Sequence, residues 1–184
     1  MGDDVGRDGR IEARYADWQA DGEDGMTGTG AAVDRDERRS ADVSMPGGYA
    51  GDVDPAKAWA ILEHEADSVL VDVRSQPEWS FVGVPDLSRL GKKPVLIAWQ
   101  TYPGMVPNAG FAADLKAAGV TRQQAVIFLC RSGGRSKAAA IAMTAAGYGR
   151  CYNLSGGFEG PPDAERHRGG REGWKVAGLP WIQE

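Results

Sequence analysis

The chain has 184 residues, 42% of them hydrophobic, with 26 acidic and 21 basic side chains and a formal net charge of −5. That length suffices for one domain with a sizeable core and some chain to spare. No stretch approaches the ~18 consecutive apolar residues of a membrane-spanning helix, and the N-terminal run MGDDVGRDGRIEARY lacks the apolar segment of a secretory signal.

The charge is unevenly spread. Residues 1–44 hold 12 of the acidic residues against 6 arginines, a net of −6, which leaves the rest of the chain at +1. The same segment is rich in Gly, Asp, Arg and Ala and poor in large apolar side chains. It cannot bury enough surface to offset the entropy of ordering. We expect a disordered acidic tail over residues 1–44 and a folded domain over residues 45–184. A near-neutral domain argues against a broad basic face for nucleic acid. The two cysteines, Cys130 and Cys151, do not form a disulfide framework. A cytoplasmic protein with reduced thiols and no membrane association is expected.

Asp54-Pro55 supplies a helix N-cap followed by a proline at the first helical position. It predicts a helix over residues 56–66, with Ala58, Trp59, Leu62 and Ala66 on one face. His64, between Glu63 and Glu65, falls on the solvated side. Residues 68–73 (SVLVDV) read as a buried strand of the parallel kind. The strand runs out in Asp72-Val73-Arg74, and Ser75-Gln76-Pro77-Glu78-Trp79 follow. Asp72 reads as a structural carboxylate. Arg74 is either its ion-pair partner or part of an anion pocket.

Residues 94–99 (PVLIAW) read as another short strand. Residues 100–110 (QTYPGMVPNAG) form a Pro/Gly-rich loop with Tyr102 and Met105, either a plain surface connection or the rim of a site. Residues 111–118 read as a helix stopped by Gly119.

Residues 125–148 (AVIFLCRSGGRSKAAAIAMTAAGY) then give strand, tight loop and helix. The apolar run 125–129 ends at Cys130. Arg131, Ser132, Gly133, Gly134, Arg135 and Ser136 are polar and glycine-rich, and the alanine-dense residues 137–148 predict a helix. A cysteine at the end of a strand faces the N-terminus of the next helix. The loop's N–H groups and the positive end of the helix dipole point at its sulfur, and two arginines add positive charge. Such surroundings favour the thiolate, a nucleophile suited to an anionic substrate.

Residues 150–154 (RCYNL) read as a strand in which Cys151 is a small core residue. Ser155-Gly156-Gly157-Phe158 follow. A polar segment over 159–173 places His167 among Arg166, Arg168 and Arg171, and the chain closes on Trp174 and Gly178-Leu179-Pro180-Trp181.

Three separated motifs in this pattern carry a resemblance. Cys130 and Arg135 make a C-x4-R loop, which resembles the active-site loop of the rhodanese-like sulfurtransferases. Asp72-Val73-Arg74 followed by Glu78 and Trp79 is similar to that family's D-x-R strand end. The Gly-Gly, Trp and Gly-Leu-Pro ending is similar to its C-terminal pattern. The chain departs from the family in having Gly83-Val84-Pro85 where a Gly-His-Ile step is usual, and in the length of segment 159–173.

The resemblance implies a rhodanese-like α/β fold, a central parallel sheet of four to five strands with helices on both faces. The alternation of short buried strands and helices points to the same class. It also implies that Cys130 carries sulfane sulfur as a persulfide. The donor would be thiosulfate or a related compound, and the acceptor a thiol, including a protein thiol, or cyanide. Residues 131–136 would form the loop around it, supported by Asp72 and Arg74. Either arginine of the loop could hold the donor. No metal or organic cofactor is implied. Two other readings stay open. Cysteine phosphatases on this fold use a C-x5-R loop, one residue longer, so a phosphatase or arsenate reductase is one. A non-catalytic module for partner binding is the other.

Overall fold

A computed structural model describes residues 48–183. The expected tail over 1–44, and the expected boundary after it, lie outside the described residues.

In chain order the elements are β1 (Gly51–Val53), α1 (Pro55–His64), β2 (Val69–Asp72), α2 (Gln76–Val82), β3 (Val84–Pro85), a 3-10 turn (Ser88–Leu90), β4 (Val95–Leu96) and β5 (Gln100–Thr101). They continue with β6 (Val106–Pro107), α3 (Phe111–Ala117), β7 (Ala125–Leu129), α4 (Gly134–Ala145), β8 (Arg150–Leu154) and β9 (Trp181–Ile182). Five of these strands form one parallel sheet in the order β1-β8-β7-β2-β4. The α/β architecture with a central parallel sheet is as expected.

Strand β7 lies at the centre, and all five of its residues are buried. Side chains alternate across a strand. Val126, Phe128 and Cys130 share one cluster with Phe111 and Leu115 of α3 and with Ala139, Ala140 and Met143 of α4. Ile127 and Leu129 point the other way and are as deeply buried. The sheet is therefore covered on both faces, which is why the strand reads as an unbroken apolar run.

Helix α1 starts as its cap dictates, with the Asp54 carboxylate accepting the Lys57 N–H at 2.7 Å. It ends at His64, two residues before the expected end, and Ala66 is exposed in the turn beyond. Glu65 leaves the helix in an extended conformation. The turn is closed by the Ser68 hydroxyl, which donates to the carbonyls of Ile61 (3.1 Å) and Glu65 (2.7 Å), and by the Lys92 ammonium, which donates to Glu65 O at 2.7 Å.

Other boundaries move for similar reasons. The strand expected over 94–99 is in regular register with β2 at Val95 and Leu96, and Ile97 and Trp99 add hydrogen bonds to Asp72 O and Val73 O. The loop expected over 100–110 contains the two-stranded hairpin β5–β6. Strand β1 and helix α2 are not anticipated by the sequence pattern. Helix α4 begins three residues before its expected start and ends at Ala145, because Gly147 takes φ 90° and turns the chain out of the helix. Among the described residues no helix is long and apolar enough to cross a membrane.

Candidate active site

Parallel α/β sheets place their sites at the carboxyl ends of the strands, and Cys130 directly follows β7 there. Its sulfur lies at the floor of the loop, the residue 1% exposed. Gly133 N–H donates to Sγ at 3.2 Å, and the Ser136 hydroxyl lies 3.2 Å from it. Gly133 adopts φ 103°, a left-handed conformation that glycine tolerates. This turns the chain back over the sulfur and starts α4 at Gly134. The helix therefore begins inside the loop, with no side chain capping its first turn. The first helical hydrogen bond runs from Lys137 N–H to Gly133 O at 3.0 Å. The N–H groups of Gly134, Arg135 and Ser136 precede it and are left for whatever sits over the loop.

The two loop arginines do different things. Arg135 forms a two-point ion pair with Glu78 of α2, Nη1 to Oε2 at 2.8 Å and Nη2 to Oε1 at 2.6 Å. Glu78 also accepts from the N–H (2.9 Å) and hydroxyl (2.8 Å) of Ser75. Burial works against the Glu78 carboxylate. The bonds from Arg135 and Ser75 outweigh it and hold its pKa at about 2. The same pairing raises that of Arg135. Arg135 is therefore tied to the scaffold. Arg131 is exposed and makes no side-chain hydrogen bond or ion pair among the described residues. Ser132 and Gly134 are exposed beside it at the mouth.

Asp72 and Arg74 are completely buried. Arg74 Nη2 donates to Asp72 Oδ2 at 2.6 Å and to Gly83 O at 2.7 Å, and Nε donates to Asp72 Oδ1 at 2.9 Å. Its guanidinium stacks 4.1 Å from the centre of the Phe158 ring. Of the two roles open to Arg74, the geometry selects the ion pair. It welds the end of β2 to Gly83 and to the segment after β8. Gly83-Val84-Pro85 is also well defined. Val84 and Pro85 pair with Ile182 and Trp181, and a Cβ on Gly83 would collide with Ile182 O.

The Gly156-Gly157 turn buttresses the loop from beneath. Phe158 N–H donates to Cys130 O at 2.7 Å and Glu159 N–H to Arg131 O at 3.0 Å. Gly157 has φ 59°, and a Cβ there would strike Cys130 O and the Arg131–Ser132 backbone. The turn approaches this closely only because it has no side chain.

Two participants escape sequence reasoning. Glu78 is visible as part of a motif, but its partner Arg135 is 57 residues away. Asn153 of β8 accepts from the Ser136 hydroxyl at 2.6 Å and is buried. Its signal was a lone amide in a strand otherwise suited to burial. His64 and His167 are exposed, His64 against Glu63 at 3.6 Å. Cys151 sits opposite Val126, near the other end of β7. The strand rise puts it about 13 Å from Cys130, beyond the roughly 7 Å that a disulfide can bridge. No group of three or more His, Cys, Asp or Glu among the described residues could hold a metal ion.

The chain is similar in sequence and fold to known proteins. Rv0390 of M. tuberculosis, known from a crystal structure, is 50% identical with a TM-score of 0.69, over 74% of this chain and 99% of that one. The polysulfide-sulfur transferase homodimer of Wolinella succinogenes aligns with a TM-score of 0.50 over 74% of this chain and 80% of its own. At 20% identity that likeness speaks for the fold alone. RC0915 of Rickettsia conorii is 38% identical over 125 residues, 68% of this chain and 91% of the relative. RP600 of Rickettsia prowazekii is 37% identical over the same length. The sequence profile of the STR4 middle domain matches residues 51–184. The fold is rhodanese-like, as the motifs implied, and by its sequence this chain belongs to the family of the STR4 middle domain.

Proposed function

We propose that this protein is a sulfurtransferase that carries sulfane sulfur as a persulfide on Cys130. The observation that supports this most is the position of Sγ, at the end of β7 and beneath Gly133 N–H, in a six-residue loop that closes onto α4. The Cys130 thiolate attacks the outer sulfur of thiosulfate. A bond forms between Sγ and that sulfur as the donor's S–S bond breaks. Sulfite leaves with the bonding electron pair. The negative charge moves from Sγ to the outer sulfur, toward the free N–H groups at the start of α4 and the positive end of its dipole. An acceptor thiolate or cyanide then attacks the outer sulfur and releases the Cys130 thiolate. Atoms and charge balance in both halves without an added oxidant.

Arg131 is the better placed arginine for the sulfonate oxygens of the donor, since Arg135 is spent on Glu78. Gly133 and Gly134 let the loop close around one sulfur atom with no Cβ in the way. A phosphoryl group with three oxygens asks for a wider ring. The test is the intact mass of the protein after thiosulfate treatment, alongside hydrolysis of p-nitrophenyl phosphate. One added sulfur on Cys130 with negligible phosphate release is expected. Faster phosphate hydrolysis with no sulfur on Cys130 would replace this reading by the phosphatase one.

A further inference from the structure

A chain of hydrogen-bonded polar groups runs from the buried nucleophile through Ser136 and Asn153 to exposed Asp52 at the edge of the sheet. Ser136 Oγ lies 3.2 Å from Cys130 Sγ and 2.6 Å from Asn153 Oδ1. Asn153 Nδ2 donates to Asp52 Oδ1 at 2.8 Å, and the Tyr49 hydroxyl donates to the same oxygen at 2.6 Å. The direction of the chain is fixed by chemistry. A carboxylate only accepts, so Asp52 takes the amide's N–H2 side, and the amide oxygen must face Ser136. Burial works against the Asp52 carboxylate, but the bonds from Tyr49 and Asn153 and the charge of Lys137 outweigh it and lower its pKa. The same carboxylate, with burial as the larger cause, pushes Tyr49 up to about 12.

Ser136 has one proton and three acceptors within reach: Cys130 Sγ, Asn153 Oδ1 and Gly133 O at 3.1 Å. Gly133 O has a second donor in the Lys137 N–H and lies farther from Ser136 Oγ than the amide oxygen does, so the competition that matters is between sulfur and amide. When Sγ is a thiolate, the proton belongs on sulfur, because a charged acceptor makes the stronger bond. Asn153 Oδ1 is then buried without its donor, which costs free energy. When Cys130 carries a second sulfur, the charge has moved outward and Sγ is neutral. The proton then returns to Asn153.

We propose that Asn153 is a positioning residue for sulfur loading, the acceptor that takes the Ser136 proton when Cys130 becomes a persulfide. It penalises the free thiolate, a penalty lifted in the loaded state, and that difference favours loading. Asp52 holds the amide the right way round, with Tyr49 behind it. This inference rests on the sulfur-transfer reading of the same site.

The test is the fraction of protein carrying one added sulfur, by intact mass, at a fixed ratio of thiosulfate to sulfite. Asn153→Leu, close in volume, should lower the loaded-to-free ratio about fivefold, the worth of one hydrogen bond. Asp52→Ala, at an exposed position, should lower it less by letting the amide flip, and stands in if Asn153→Leu does not fold. In a Ser136→Ala background neither change should move the ratio. A residue that only supports the fold would keep its effect there. If the unaltered protein takes up no sulfur, the sulfur-transfer reading itself fails. If it loads and both variants load equally well, or if their defect persists without the Ser136 hydroxyl, the role given to Asn153 is wrong.

Discussion

Cys130 follows β7 and Cys151 lies within the neighbouring parallel strand β8, and both are nearly inaccessible, at 1% and 0%. Their surroundings differ in what the sulfur can receive. Cys151 packs in the core, where its thiol lies 3.7 Å from the Tyr148 carbonyl. Burial pushes its pKa up to about 11, against a small opposing contribution from Thr144. Cys130 lies past the end of its strand and receives Gly133 N–H, with the Ser136 hydroxyl in reach. Burial alone makes a thiol inert. Burial beneath donors that the strand-to-helix turn leaves over makes it a candidate nucleophile.

The sharpest way to break this contrast is to exchange the cysteines' fates. Cys130→Ser should abolish transfer from thiosulfate to cyanide with an unchanged circular dichroism spectrum. Cys151→Ala should keep most of the activity. Loss of turnover in a folded Cys151→Ala protein would overturn the assignment.

A second change leaves both sulfurs in place and moves only the floor beneath one of them. Gly157→Ala forces a methyl group into the Cys130 carbonyl and the next peptide, at a φ of 59° that alanine resists. Displacing the loop by ~1 Å should lower kcat/KM about a hundredfold. The melting temperature should fall by several degrees as well. Unaltered turnover would mean that the loop does not depend on the Gly-Gly turn.

Glu78→Gln tests the tie between α2 and the loop. It should lower turnover about tenfold and stability by about 2 kcal/mol at neutral pH, since it breaks a partly buried two-point pair. Glu78 has its pKa lowered on folding, from 4.5 to about 2. Its contribution is therefore present above pH 4.5 and is lost as pH falls toward 2. The stability gap between the unaltered and Glu78→Gln proteins in urea should close across that window. A gap independent of pH would show that the ion pair is not its source.

The smallest effect is expected from Arg131→Ala, because the side chain is exposed and untied. It should raise KM for thiosulfate about threefold, the scale of one solvated charge interaction, with little change in kcat. A larger loss in kcat would give Arg131 a part in the chemical step.

Much of this site could be read from the sequence because it is local. Strand, cysteine, glycines and helix follow one another within residues 125–148, and their spacing specifies the turn. Asp72 and Arg74 are two residues apart and find each other for the same reason. What stayed hidden depends on distant partners. That Arg135 is tied and Arg131 is not follows from Glu78, on a helix absent from the expected elements. Strand β1 is only three residues long, too short for a periodic signal, and owes its existence to pairing with β8. The expected strand over 94–99 is regular only at Val95 and Leu96, at the edge of the sheet, although Ile97 N–H still donates to Asp72 O at 3.2 Å and Trp99 N–H to Val73 O at 3.1 Å.

The sheet order also sets a timetable for folding. β1, among the first elements of the domain, pairs with β8, and Asp52 meets Asn153 across 101 residues. The entropy of closing so long a loop comes before any contact within it compensates. Among the described residues β1 pairs with β8 alone, so during synthesis it waits until β8 has emerged, and the Gly156-Gly157 turn emerges later still. Cys130 is therefore made well before the residues that prop up its loop and the amide that faces Ser136. The thiol passes through the early life of the chain as an ordinary cysteine, and its special surroundings are among the last things the domain acquires.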